Sequence, residues 1–352
     1  MSELWRCTVT GSSLCLPHTR SWFQGLRAQQ RTPNSLYLTE PGSDYNLPFG
    51  RWGDPPYPQI EAMHAAAPVL LHMAEPGVSA SDLAVIAARS ALAEVEKAEL
   101  ARNGRGGKGH RVDILIYCHS SANEDIADSI GGRLQYELGL TTPLVFCLSQ
   151  NLCSALMALR LATALLEEEP ALERALIVAS EKWIYPFVRS FGHAAIFEDG
   201  AAAVLIERAG GPGWQLGEVY HVNAPDAPSP FESTVPAMLR LMSEQAPRAI
   251  RRLLEAEGVA PADLGFVALP GLDAGLCTQV LRDAGLEHLR VTQDAERRGH
   301  LASAEALANL HQVRVGAAAR RGQLGLLWSV GLQGEAACCL IGPAHLDSEN
   351  SR

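Results

Sequence analysis

Apolar positions along the chain alternate between short continuous runs and stripes at helical spacing. Residues 7 to 16 predict an opening strand and turn. A helix is predicted over 79 to 98: Ser79 can cap its start with Asp82 three residues on, and Leu83, Ile86, Ala87 and Ala91 share one side. A strand at 112–117, a helix at 126–138 stopped by Gly139, and a strand at 144–148 follow. A long helix then starts near Asn151 or Cys153 and runs to Glu168, with Leu156, Leu159, Ala162 and Leu166 on its apolar side. Strands at 175–179 and 201–206 close the first half.

The second half repeats the order. Helices are expected at 246–257, 274–284 and 301–319, and strands at 265–269, 288–291, 324–329 and 336–341. A glycine turn before a strand of small residues ends each half, "EDGAAAVLIE" at 198–207 and "GLQGEAACCLI" at 331–341. The simplest arrangement is α/β: two similar βαβ-rich halves, residues 1–215 and 216–352, with central mixed sheets between helices. The strands are apolar throughout, so both their faces should be covered.

Two segments stand outside this pattern. Residues 21 to 58 hold Pro33, Pro41, Pro48, Pro55, Pro56 and Pro58 and read as a long excursion. Covering a pocket, meeting a partner and packing as a surface loop are equal readings of it. The segment "NGRGGKG" at 103–109 lacks the order of a phosphate loop and follows a helix, so it reads as a surface linker.

Composition narrows the function classes. Hydrophobic residues are 47% and charged residues 19% of the 352, the balance of a packed domain. A net charge of -10 argues against broad nucleic-acid binding. Residues 1 to 17 carry no targeting pattern, and the apolar stretch 143–166 is interrupted by Ser149, Gln150, Asn151, Ser154 and Arg160. No membrane span and a cytoplasmic location are expected. The eight cysteines include no Cys-x-x-Cys pair, and no Cys/His spacing suits zinc, so neither a disulfide framework nor a metal is expected.

The candidate nucleophile is Cys153. A strand ends near Leu148 and a helix begins at the cysteine, which sets a thiol beside free backbone N–H groups at the positive end of a helix. Those groups favour thiolate and can donate to an oxyanion, which suits an acyl acceptor. The competing reading is a cysteine buried without chemistry. Cys147 sits inside the strand and reads as core. His193, His221 and His311 have structural or exposed readings, and Arg189, Arg240 and Arg251 read as solvated cations.

Several segments, in order, resemble β-ketoacyl-acyl-carrier-protein synthase III of the thiolase superfamily. They are "VDILIYCHSSANEDIADSIGGRLQYELGL" at 112–140, "VFCLSQNLCSALMALRLATALL" at 145–166, "EDGAAAVLIE", and "QLGLLWSVGLQGEAACCLIG" at 323–342. The resemblance spans roughly residues 80 to 342. It implies a thiolase-type fold, a homodimer with sheets continuing across the interface, and an acyl intermediate on Cys153. The donor would be an acyl-CoA or an acyl-phosphopantetheine carrier protein, with no permanently bound cofactor.

The family's set is cysteine, histidine and asparagine. In "VALPGLDAGL" at 267–276 the histidine position is Gly271, and in "RGHLASAEAL" at 298–307 the asparagine position is His300. The glycine run near the end is thinned to Ser329, Val330 and Gly331. The usual decarboxylating pair is thus missing, so transfer to oxygen or nitrogen in specialised metabolism ranks above decarboxylative condensation. Cys153 and His300 are the leading catalytic candidates, with His300 as base or positioning group. His119, Asp273 and Gly331 are secondary acid–base or oxyanion candidates, Asp273 having a helix-cap reading beside it. A decarboxylative synthase and a non-catalytic subunit paired with a second thiolase-like chain are the alternatives.

Overall fold

A computed structural model describes residues 4–23, 69–103, 111–121, 129–141, 143–183, 189–191, 194–211, 213–225, 227, 235–292, 299–316 and 322–343. Most of the 21–58 excursion and nearly all of the glycine-rich 103–109 segment lie outside these residues.

The first half runs β1 (Trp5–Cys15), β2 (Arg20–Phe23), β3 (Val69–His72), α1 (Ala80–Asn103), β4 (Ile114–Cys118), α2 (Ile130–Glu137), β5 (Leu144–Leu148), α3 (Ser154–Glu168), β6 (Arg174–Glu181), β7 (Ser190–Phe191), β8 (Ala195–Ile196) and β9 (Gly200–Arg208). The second runs β10 (Trp214–Gly217), β11 (Tyr220–Val222), α4 (Val235–Glu257), β12 (Leu264–Ala268), α5 (Ala274–Asp283), β13 (Arg290–Thr292), α6 (Glu305–Val315), β14 (Leu324–Val330) and β15 (Ala336–Pro343). Short 3-10 turns occur at Pro261–Asp263 and Ala302–Ala304.

Ten of the described strands join in the order β13-β12-β14-β15-β10-β1-β9-β6-β4-β5; β11 pairs with β15 off this path, and β2–β3 and β7–β8 form separate pairs. Outward from the antiparallel β1–β10 seam, the two sides are the same. Each has its first strand at the seam, then its last, then a parallel trio. In one half β6, β4 and β5 are parallel and β9 is antiparallel to β6; in the other β14, β12 and β13 are parallel and β15 is antiparallel to β14. Helices α1, α2 and α3 take the same places in the first half as α4, α5 and α6 in the second. β10 spans residues 215 and 216 and pairs with both β1 and β15.

Alternation within the strands explains the layering. Ile114, Ile116, Ile177, Val204 and Ile206 point to a core shared with α3 and α6, while Leu115, Tyr117, Leu176, Val178 and Leu205 point to a second core under α1. In the second half Leu327, Cys339 and Ile341 join the shared core, and Leu326, Trp328, Cys338 and Leu340 face α4 and α5. Helix α3 touches β4, β6 and β9 on one side and β15 on the other; α6 touches β1 and β9, and also β12 and β14. Each fully buried Leu or Ile contributes about 1.5–3 kcal/mol, so this doubly covered middle layer holds the halves together.

Local signals behave as expected at α1, where Ser79 and Asp82 exchange a capping pair: Ser79 N donates to Asp82 Oδ2 at 2.8 Å and Asp82 N to Ser79 Oγ at 3.0 Å. Other expectations shift: the helix expected over 301–319 is a 3-10 turn and a helix at Glu305–Val315, residues 21–23 of the excursion belong to β2, and β10 and β11 are additional strands. Helix α4 begins eleven residues before the expected 246 and passes through Pro247. Its stripe of Met238, Met242, Ala246, Ala249, Ile250 and Leu253 is buried throughout, and that burial outweighs the roughly 3 kcal/mol helix cost of an internal proline. Cys147 is exposed, not core, because β5 is the outermost of the described strands of its sheet.

Gly325 on β14 lies opposite Phe266 on β12, and a methyl there would sit 2.1 Å from Phe266 Cζ. Gly325→Ala should lower the unfolding free energy by about 1–3 kcal/mol in urea titration, and adding Phe266→Leu should restore part of it.

Candidate active site

The sequence candidates lie at the C-terminal ends of the parallel strands, where α/β sheets bind ligands. His119 follows β4, Cys153 follows β5, Gly271 follows β12, His300 follows β13 and Gly331 follows β14. Cys153 and His300 hold corresponding places, each in the connection that leads into the middle-layer helix of its half.

The turn carrying Cys153 is tightly braced. Asn151 adopts φ 50, a left-handed conformation uncommon outside glycine. Ser154 Oγ accepts from Gln150 N at 2.7 Å and donates to Asn151 O at 2.7 Å. Ser120 Oγ also donates to Asn151 O, at 3.0 Å, and Ser329 Oγ donates to Leu152 O at 2.7 Å. Residues from both halves therefore hold the turn, and its strain is of the kind that persists where surroundings over-determine it.

Cys153 is the N-cap of α3, fully buried, and its Sγ donates to Glu335 O at 3.5 Å. Burial pushes this thiol well above its ordinary pKa, and the Glu335 carboxyl adds to the effect. The Ser329 hydroxyl and the N–H groups of Gly331 and Ala337 oppose the rise without cancelling it. The rise runs against the thiolate that a helix N-terminus favours, and desolvation is its largest cause.

Gly331 N donates to Glu335 O at 2.7 Å, closing a tight turn in which Gly334 has φ 79. The Glu335 carboxyl folds back over Gly331; a methyl on Gly331 would lie 1.8 Å from Glu335 Oε1. Gln333 N donates to Glu335 Oε2 at 3.1 Å. Burial raises the pKa of Glu335 to about 7. A cleft of about 560 Å³ opens beside this turn, lined by Ser120, Gln150, Asn151, Asn223, Gln333 and Glu335 among others.

His300 is buried, and its Nδ1 accepts from Ala302 N at 2.8 Å. The proton of the neutral ring therefore sits on Nε2. Glu305 Oε2 is 4.0 Å from Nδ1, and Phe197 meets the ring edge-on at 5.9 Å. Ala302 has φ 45, so a left-handed residue adjoins each leading candidate. Gly271 lies against this turn: a methyl on it would be 3.3 Å from His300 Cα, and its N–H donates to Glu305 Oε1 at 2.7 Å.

The other candidates have local partners. Asp273 caps α5 through Leu276 N at 3.0 Å. His119 donates or accepts at Ser121 O through Nδ1 at 3.0 Å, which for a carbonyl partner makes it the donor, and it stacks on Tyr117 at 5.6 Å. Arg189 is not a solvated cation: it is buried against Asp199 at 2.8 Å, because Asp199 needs a counter-charge inside the protein. Arg240 is exposed beside Glu244 at 3.8 Å, and Arg251 donates to Asp283 O. His221 reaches Gln150 at 3.4 Å, His311 meets Ser12 Oγ at 2.9 Å, and His193 lies outside the described residues.

Sequence reasoning missed the buried glutamates. Glu181, at the end of β6, accepts Ser120 N at 2.8 Å, Ser121 N at 2.6 Å and Ser303 N at 3.0 Å. Through Ser120 and Ser303 it ties the Asn151 turn to the His300 turn. The available signal was a lone acid inside a run of small and apolar residues: "ALIVASE" for Glu181 and "GEAACC" for Glu335. Among the described residues no cluster of His, Cys, Asp or Glu is placed to hold a metal, and no helix is long and apolar enough to cross a membrane.

The raised pKa of Glu335 makes a stability prediction. Between the ordinary 4.5 and about 7 the folded chain keeps a proton that the unfolded chain has released, so folding stability falls as pH rises through that window. Glu335→Gln removes the effect. Relative to it, the native chain should lose up to about 3 kcal/mol across the window, from about 2.5 pH units at 1.36 kcal/mol each, as read by urea titration at each pH.

No protein-family model matches the sequence. Solved structures do match over nearly all of the chain. ChlB3, named as an acyltransferase, aligns with TM-score 0.68 and 19% identity, covering 96% of this chain and 97% of that one. An OleA variant of Xanthomonas campestris gives TM-score 0.70 at 13% identity, with 96% and 97% covered. The 3-oxoacyl-(acyl carrier protein) synthase III, FabH, of Pseudomonas aeruginosa PAO1 gives 0.65 at 21%, with 96% and 98% covered. At these identities the likeness is one of architecture, and it establishes that the chain has the α/β fold of the thiolase-type ketoacyl synthases.

Proposed function

We propose that the chain is an acyltransferase of the ketoacyl synthase III-like type. It takes an acyl group from a CoA or carrier-protein thioester onto Cys153 and passes it to an oxygen or nitrogen acceptor, in specialised metabolism. The observation that carries this reading is the braced strand-turn-helix that holds Cys153 next to a polar cleft. A thiol in such a place can form a thioester in an environment shielded from bulk water. The fold shared with ChlB3, named as an acyltransferase, supports the same reading.

Gly271 favours transfer over decarboxylation. Glycine offers no side chain to stabilise the enolate that loss of carbon dioxide would leave, and its N–H is engaged by Glu305. His300 fits the role of a donor better than that of a base. Its Nδ1 lone pair accepts from Ala302 N, so the neutral ring carries its proton on Nε2, the form in which it donates a hydrogen bond to a carbonyl. The same glycine gives a second reading its support: a non-catalytic subunit that needs an active thiolase-like partner.

Incubation with a pool of acyl-CoA thioesters and intact-mass measurement should show a single acyl adduct, absent in Cys153→Ala. No adduct with any donor, or an unchanged adduct in the variant, would falsify the acyl-enzyme reading. His300→Ala should slow loading by about 100-fold in single-turnover mass kinetics while leaving the fold intact by circular dichroism, the size expected for one lost oxyanion donor.

A homodimer joined through β5 belongs to the same proposal. Among the described residues β5 is the edge strand, with Leu144 45% exposed and Cys147 exposed, and open strand edges pair readily. Light scattering should give the dimer mass, and Leu144→Lys should shift it towards monomer.

A further inference from the structure

We propose that Glu335 is the acid–base residue of this site, moving the proton in both acyl loading and acyl transfer. The proposal rests on the acyl-Cys153 reading and adds a residue that the family resemblance did not supply. Three geometric facts carry it. Glu335 is joined to the nucleophile, since Cys153 Sγ donates to its carbonyl at 3.5 Å. Its side chain turns back over Gly331, a placement available because residue 331 has no Cβ. It also lines the cleft, where it is the titratable side chain among the described lining residues, the others being neutral amides, hydroxyls and alanines.

A proton carrier works best when its pKa lies near the working pH. Burial brings Glu335 to about 7, so both of its forms are populated near neutrality. The titratable neighbours are Cys153 at the start of α3, Cys338 behind it on β15, and His221 on β11, which pairs with β15. Burial holds the two thiols in their neutral forms, and burial followed by Arg160 lowers the pKa of His221.

The steps balance. In loading, the Glu335 carboxylate takes the Cys153 proton as sulfur attacks the donor carbonyl carbon. The donor's C–S bond breaks, and Glu335 returns the proton to the leaving thiolate. In transfer, the carboxylate takes the proton of an acceptor hydroxyl or amine as that atom attacks the Cys153 thioester. The C–S bond to Cys153 breaks, and Glu335 protonates the sulfur. The high thiol pKa makes this last protonation favourable, and it avoids leaving a thiolate beside a carboxylate.

The test uses Glu335→Gln, which keeps size and an acceptor for Gln333 N, with Glu335→Asp as the conservative partner. Acyl-Cys153, loaded at saturating acyl-CoA, is followed by intact mass as it passes to water or glycerol. Glu335→Gln should slow transfer by about 100-fold, and Glu335→Asp should recover part of the rate. Hydroxylamine, which needs no base, should cleave the adduct equally in native and variant chains. Unchanged transfer to water and glycerol in Glu335→Gln overturns the proposal.

A second arm needs no acyl donor, so it reads Glu335 even if the acyl-enzyme reading fails. Iodoacetamide alkylation of Cys153, located by peptide mass, should rise with pH through an inflection near the Glu335 pKa of about 7. That inflection should be lost in Glu335→Gln. Equal or faster alkylation of the variant across neutral pH would mean that Glu335 only repels the thiolate, and would overturn the proposal.

Discussion

Helices α3 and α6 are covered by sheet on both sides, and the site depends on that constraint. A helix with sheet on both sides needs apolar residues facing each, and Leu156, Leu159, Ala162 and Leu166 of α3 and Ala306, Leu307, Leu310 and Val313 of α6 are buried in the shared core. The polar atoms left unpaired by such helices are those at their ends. The connections into them, 149–153 and 299–304, therefore collect the side chains, left-handed residues and carboxylates that satisfy those ends. Polar side chains gather where the doubly covered layer meets solvent because the helix ends there need hydrogen-bond partners.

Glu181 gives this end of the layer its rigidity. One buried carboxylate takes N–H groups from residues after β4 and from the turn before α6, and hydrogen bonds to a charged acceptor are stronger than neutral ones. Ser329 reaches across from β14 to the same nucleophile turn. The Cys153 turn and the His300 turn are thereby coupled through short hydrogen bonds, although 147 residues of sequence separate them.

Burial favours the neutral forms of Cys153 and Glu335. Cys153 is a thiol, Glu335 shares its proton near neutrality, and the His300 ring accepts a backbone N–H at Nδ1. Burial is the largest cause of the raised pKa values of Cys153 and Glu335. Asp199 shows the alternative outcome: it lies just as deep but faces Arg189 at 2.8 Å.

The sequence by itself determined the elements and their repetition. Period-two and helical patterns read locally, and capping at Ser79 and the strand-to-helix step at Cys153 need only neighbouring residues. Only the tertiary structure decided exposure and partners. Cys147 lies in as apolar a run as any core strand yet is exposed, because strand order and not composition sets which strand is the edge. Helix α4 runs through Pro247 because its stripe finds a surface to cover. Arg189 became a buried counter-ion when folding enclosed its Asp199 partner, and Glu335 became a neighbour of Cys153 through a contact of residues distant in sequence. A titratable side chain takes its pKa from solvent exclusion and from charges brought near by folding, and the order of residues along the chain records neither.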